Sequence, residues 1–275
     1  MIIKKSLFIS IGLILTSFQS YANLLISPTR INFDERQRVA KVIIINDSKE
    51  YKTYRLEWQE KISKATGGYT NFKSGQKNPT SLSQMTRVSP SQVRLSPGER
   101  QIVKLAIRKP KGLDDNEYRS HLTFKALPDK NKLDEKPGIG INLNLLLSYS
   151  IPVILRQGAK LPEVEIKSIE LISGKDKKSL LLAMPKSGNY SSFGKLEVFY
   201  TPSNSNKEVK VAMLGDYSIY SEVSEAKLNL NFFENIEITK PGKLRVVYTG
   251  SKEYQGTIFA EKRVSIDANS IGQLR

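Results

Sequence analysis

The stretch GIGINLNLLLSYSIPVILRQG, residues 138–158, is the most apolar run of the chain beyond its first residues, and two foldings compete for it. A membrane-crossing helix needs about 20 predominantly apolar residues. This run is interrupted by Gly138, Gly140, Asn142, Asn144, Ser148 and Pro152. Ile141, Leu143, Leu145 and Leu147 instead alternate with polar residues at Asn142 and Asn144, the period of a strand whose successive side chains face opposite ways. With its continuation through Ile151, Val153 and Leu155 the row outruns the usual strand of about 5–6 residues. It can be an interior strand throughout, or it can close its own sheet with one part and overhang with the other. An apolar overhang is an aggregation hazard that proteins normally suppress with charge or bulges. An edge kept apolar is suited to pairing with a second chain, whose pockets take the alternate side chains. Leu145, Leu146 and Leu147 are consecutive, so a bulge could instead turn Leu146 to the working face.

The same period of two runs through the rest of the chain. YKTYRLEWQ (51–59) sets Tyr54, Leu56 and Trp58 against Thr53, Arg55, Glu57 and Gln59. RQIVKLAIRK (100–109) sets Val103, Leu105 and Ile107 against Lys104 and Arg108. EYRSHLTFKAL (117–127) sets Tyr118, Leu122 and Phe124 against Glu117, Arg119, His121 and Lys125. These are half-buried antiparallel strands. SPGE at 96–99 is a turn, with Pro97 fixing φ and Gly98 accepting the positive φ of type II. KISKATGGYTNFKSGQKNPTSLSQ (61–84) is a long polar loop or hairpin, and PDKNKLDEKPG (128–138) a charged loop. Further strands follow at KLEVFYTP, VKVAML, AKLNLNFF, NIEI, KLRVVYTG and GTIFAEKRVSI, with Pro241-Gly242 read as a turn. Helical stripes are absent, so the expected class is all-β, built from β-sandwiches. Gly158 and Pro162 interrupt the pattern in RQGAKLPE (156–163), which places a boundary between an N-terminal domain, 23–157, and a C-terminal domain, 158–275. The short linker restricts the angle between the two.

Ahead of the first domain, MIIKKSLFISIGLILTSFQSYA (1–22) has a basic start at Lys4 and Lys5, a short apolar core and a small-residue ending at Ser20-Tyr21-Ala22. That is the pattern of a cleaved secretory signal, so the expected product is exported and not integrated in a membrane. The 275 residues carry 43 Lys plus Arg against 27 Asp plus Glu, a net charge of +16 that becomes +14 once Lys4 and Lys5 are removed. The lysines are spread along the chain without an aromatic-studded basic stripe, which reads as solvated surface rather than a nucleic-acid site. With no Cys there are no disulfides, thiolate metal sites or thiol nucleophiles, and both cores must hold by apolar burial. A single histidine, His121, no G-x-S-x-G and no credible pair of carboxylates leave neither a triad nor a histidine metal cluster to assemble. Neither catalysis, a metal nor a cofactor is expected. His121 is read as a structural strand residue or as part of a carboxylate site.

Several of these segments, in order, resemble the periplasmic pilus-assembly chaperones of the PapD-like family. ISPTRINFD (26–34) is similar to the family's first strand, and VAKVIIINDSKEYKTYRLEWQE (39–60) to its second and third. VSPSQVRLSPGERQIVKLAI (88–107) carries the most specific signature, EYRSHLTFKALP (117–128) resembles the strand before the donor strand, and INLNLLLSYSIPVILRQG the donor strand itself. SGNYSSFGKLEVFY (187–200) and KPGKLRVVYTG (240–250) look like the archaic, or sigma-type, branch. The resemblance implies two immunoglobulin-like sandwiches set at an angle around a cleft. It also implies a periplasmic chaperone that lends a strand to pilus subunits lacking their last one and delivers them to an outer-membrane usher. The donor row so implied is Ile141, Leu143, Leu145 and Leu147. A secreted structural pilus subunit or adhesin is the rival reading.

Strand pairing slips easily in register, and a fixed anchor for the subunit's terminal carboxylate would set it. A guanidinium suits that task, being always charged and able to hold a carboxylate with two parallel bonds. Arg30, in PTRINF, matches the family's cleft arginine. The family's second anchoring charge is a lysine on the donor strand, where this chain has Pro152. The expected substitute is Arg119, with Arg156 behind it.

Overall fold

A computed structural model describes residues 24–73, 75–128, 146–158, 160–173, 178–234, 236, 238 and 240–267. The expected signal segment, most of the 128–138 loop and the donor-row residues Ile141, Leu143 and Leu145 lie outside the described residues.

Alternation of apolar and polar side chains becomes two sandwiches, each with its own apolar interior. In the first, one sheet runs β1 (Leu25–Ser27), β3 (Val39–Ile45), β9 (Arg100–Ile107), β7 (Thr86–Ser89). The other runs β2 (Ile31–Phe33), β11 (Tyr149–Arg156), β10 (Glu117–Leu127), β4 (Lys52–Gln59), β8 (Gln92–Leu95). Phe33, Val42, Ile44, Val103, Leu105 and Phe124 are buried in one cluster between these sheets. Fully burying one such side chain contributes roughly 1.5–3 kcal/mol. The second sandwich joins β12 (Glu163–Val164), β14 (Lys178–Ser187) and β13 (Ser168–Ser173), with β17 (Glu225–Asn231) also on β14. Its other sheet is β16 (Val209–Ile219), β15 (Ser192–Pro202), β18 (Gly242–Gly250), β19 (Ile258–Ile266). Leu180, Leu182, Leu196, Val198, Leu244 and Val246 form its centre. The all-β, two-sandwich architecture is the one expected.

Several local readings hold. Tyr54 and Leu56 point inward from β4, as do Val103, Leu105 and Ile107 from β9. Gly98 has φ +74°, and the Glu99 N–H donates across the turn to Ser96 O at 3.1 Å. The polar segment 61–84 begins as a hairpin, β5 (Lys61–Ser63) with β6 (Tyr69–Asn71), turned at Gly67 and Gly68, both with positive φ.

Others need correction. The expected first strand is two: β1 pairs with β3 in one sheet, and β2 pairs in parallel with β11 in the other. The chain crosses between the sheets at Pro28, which has no N–H to give a ladder. Gly242 is not a turn glycine but the first residue of β18, where a Cβ would lie 2.4 Å from Thr201 O. NIEI (235–238) lies partly outside the described residues. The largest departure is β10. Of its polar face, Glu117, Arg119, His121 and Lys125, only Lys125 is exposed, and Glu117, Arg119 and His121 are buried. Their face is covered by the β5–β6 hairpin and by the second sandwich.

Candidate functional site

Among the described residues, β11 has a neighbour along its whole length on one side only. Its antiparallel pairing with β10 runs from Phe124↔Tyr149 to Glu117↔Arg156. On the other side β2 covers Val153, Ile154 and Leu155 and nothing more. Among the described residues, Tyr149–Pro152 therefore have an open margin. Leu146 and Leu147 lead into it, 48% and 44% exposed. Leu147, the one donor-row residue that is described, precedes β11 and is exposed among the described residues.

Arg30 stands immediately before β2. Since Ile31 pairs with Val153, Arg30 comes level with Pro152, where the open margin ends. The residue is buried, only 7% exposed, as are Arg119 and Arg156. Its guanidinium reaches the second sandwich through two long contacts, Nη1 to Ser218 Oγ at 3.4 Å and Nη2 to Glu253 Oε1 at 3.3 Å. It lies over the Phe193 ring at 4.5 Å, and its Nε has no partner among the described residues. A buried, permanently charged group that is so loosely satisfied retains capacity for a further anionic acceptor.

Arg119 is held more firmly. Its Nη1 and Nη2 donate to the two oxygens of Glu222 at 3.2 and 2.5 Å, and Nη2 also donates to Lys61 O at 3.0 Å. The Tyr220 ring lies beneath at 3.8 Å. Glu222 accepts, in addition, the Ser63 N–H at 2.7 Å, and the Tyr69 hydroxyl donates to that of Tyr220 at 3.0 Å. The hairpin thus spans from the first sandwich to the second, a bond from Lys227 N–H to Ala65 O at 2.7 Å adding to the span.

Arg156 pairs across the ladder with Glu117. It donates to Lys160 O at 2.9 Å and lies 4.5 Å from the centre of the Tyr254 ring. Glu117 Oε2 accepts the Ser191 N–H and hydroxyl at 2.9 and 2.7 Å. These contacts join the end of the first domain to the start of β15. Arg156 thus lies at the joint between the two sandwiches, and its Nε, like that of Arg30, has no partner among the described residues.

His121 is 1% exposed, and neither ring nitrogen has a partner among the described residues. The Tyr69 ring packs against it edge-on at 4.8 Å. Burial lowers its pKa to about 3, and the charges of Arg119 and Lys61 act in the same direction. It is a neutral imidazole at physiological pH. Burial also lowers the pKa of Lys61 and raises that of Tyr69, whose phenol lies within electrostatic range of both Arg119 and Arg30.

The three expected arginines thus meet at one seam between the sandwiches. Glu222, Glu253 and Tyr220, which help to complete it, were not singled out from the sequence, and Ser191 was quoted only within the 187–200 segment, with no role given to it. Each comes from the second domain, so only the packing of the two domains brings them in.

Residues 23–158 match the family described as pili and flagellar-assembly chaperone, PapD N-terminal domain. This chain belongs to the PapD-like pilus-assembly chaperones. Solved chaperone structures of low identity are also similar to it. The Salmonella enterica SafB chaperone, solved in complex with the SafA pilin, is 12% identical, covering 91% of this chain and 99% of its own, with a TM-score of 0.45. The E. coli chaperone DraB is 16% identical over 90% of this chain and 98% of its own, with a TM-score of 0.44. The CsuC–CsuE chaperone–tip subunit pre-assembly complex of archaic Csu pili from Acinetobacter baumannii gives 13% over 89% and 98%, with a TM-score of 0.43. No curated protein matches the chain in sequence. The PapD-like family is a chaperone class rather than an enzyme class.

Proposed function

We propose that this PapD-like chaperone acts in the periplasm, where it caps pilus subunits by lending them the strand that ends in β11. The observation that carries this reading is the open margin of Tyr149–Pro152 terminating at Arg30. A strand seated on that margin in line with β2 would run parallel to β11, as β2 does. Its last residue would then abut Arg30, so a chain end brings a carboxylate to the guanidinium. Main-chain bonds supply the pairing, and the apolar row 141–147 enters the subunit's groove through Ile141, Leu143, Leu145 and Leu147. The carboxylate on Arg30 fixes register, since a slip of one residue would both break the ion pair and turn every side chain over.

Delivery to an outer-membrane usher, and membership of the archaic branch, belong to the same proposal. The first follows from the family's assembly role. The second rests on SGNYSSFGKLEVFY, KPGKLRVVYTG and the proline at 152 in place of a lysine. Co-expression with secreted subunit-like proteins from the same genome, followed by affinity capture and mass spectrometry, tests the central part. A subunit recovered with the wild type and lost with Arg30→Ala supports it. Equal recovery with both proteins refutes the anchor.

A further inference from the structure

Glu222 receives what a bound carboxylate ligand would receive: two donors from one guanidinium and a backbone N–H from Ser63. The two partners differ in exposure. The Arg119 side chain is 8% exposed and fixed between Tyr220 and Lys61 O, whereas the Glu222 side chain is 31% exposed. Glu222 stands on the short connection between β16 and β17, so its carboxylate can swing into solvent while both strands stay in place. Two residues along β10 on the same face, His121 offers two buried nitrogens with no partner among the described residues. The donors gathered here exceed what one glutamate takes up.

We propose that Arg119 heads a second carboxylate site in the seam, and that Glu222 fills it until an acidic group near the carboxyl end of a bound subunit takes its place. This rests on the reading of Arg30 as the first anchor and deepens it. The glutamate is an internal competitor. It keeps a buried cation paired in the free chaperone, avoiding the cost of an uncompensated charge, and it raises the threshold for ligands that bring no carboxylate of their own. Release of Glu222 also frees the Ser63 N–H, so the β5–β6 hairpin loosens from the second sandwich as the ligand enters.

The test uses the full mature chain and a synthetic peptide of alternating valine and threonine ending in two aspartates, with the same peptide ending in two asparagines and a carboxamide as control. Glu222→Gln should bind the acidic peptide about tenfold more tightly than the wild type, because no competing carboxylate has to be displaced, and the control unchanged. A change of similar size for both peptides, or for neither, overturns the competitor. Hydrogen exchange on the wild type gives a readout that needs no substitution. The acidic peptide should speed exchange at Ser63 and the control should not; unchanged or greater protection at Ser63 with the acidic peptide also overturns it. Arg30→Ala separates the two levels. If it leaves the preference of the wild type for the acidic peptide intact, the reading of the first anchor falls and the second site falls with it. If it reduces that preference while Glu222→Gln has no effect, only the competitor is lost.

Discussion

Ile31 lies opposite Val153 in the parallel pair of β2 and β11, and this brings Arg30 level with Pro152. The side of β11 that β2 covers ends there, and the margin from Tyr149 to Pro152 has no strand beside it among the described residues. A cation at the end of an uncovered strand edge is a stop for an incoming chain. Proline suits the position, because its missing N–H removes a donor that the end of a pairing would leave unmet.

Leu147→Asp should abolish subunit capture without unfolding the chaperone. Leu147 is 44% exposed, so the free protein gives up little by the change, within about 0.5 kcal/mol for a surface site. In a subunit's apolar groove the same carboxylate would be desolvated without a partner. Affinity capture reads the loss, and an unchanged melting temperature shows that the fold is intact.

Arg30→Lys should restore part of the capture that Arg30→Ala removes. Lysine keeps the charge but loses the two-pronged geometry and the stacking on Phe193. Capture by the three proteins should therefore fall in the order arginine, lysine, alanine, measured as subunit recovered per chaperone.

His121 makes stability depend on pH. Its pKa is lowered from 6.5 to about 3 in the folded protein, by burial first and then by Arg119 and Lys61. The unfolded chain therefore binds the extra proton between these values. The stability associated with the neutral ring is complete above pH about 6.5 and is lost as pH falls toward 3, at up to about 1.4 kcal/mol per pH unit. Urea unfolding at pH 7, 6 and 5 should show a steeper decline for the wild type than for His121→Phe. Equal slopes would mean that the imidazole titrates normally.

Gly242→Ala should destabilise the second sandwich by about 1–3 kcal/mol, the range for forcing an extra carbon into a packed site. The added Cβ would fall 2.4 Å from Thr201 O and 2.6 Å from the Tyr200 ring. A lowered denaturation midpoint checks this.

Where a strand owes its form to its own residues, it was legible. β4 and β9 alternate cleanly, and their apolar rows are the ones found buried. β10 was half legible: Tyr118, Leu122 and Phe124 announced an inward face, but Arg119 is buried against Tyr220 and Glu222, about a hundred residues away, and His121 against Tyr69 of the hairpin. No local pattern encodes that. The split between β1 and β2 was hinted at by Pro28 alone, within a segment that otherwise reads as continuous. Arg30 was reached through family resemblance and the chemistry of guanidinium. Its partner Glu253 lies in KEY, a tripeptide with no signature of its own.

Amide hydrogen exchange over Leu146–Ile151, in the free chaperone and in a stoichiometric complex with a captured pilus subunit, addresses the strand edge itself. Amides on the uncovered side should exchange rapidly in the free protein and become protected in the complex, with protection stopping at Arg30. A complex in which those amides exchange as fast as before would mean that the subunit binds elsewhere and that β11 lends it no edge.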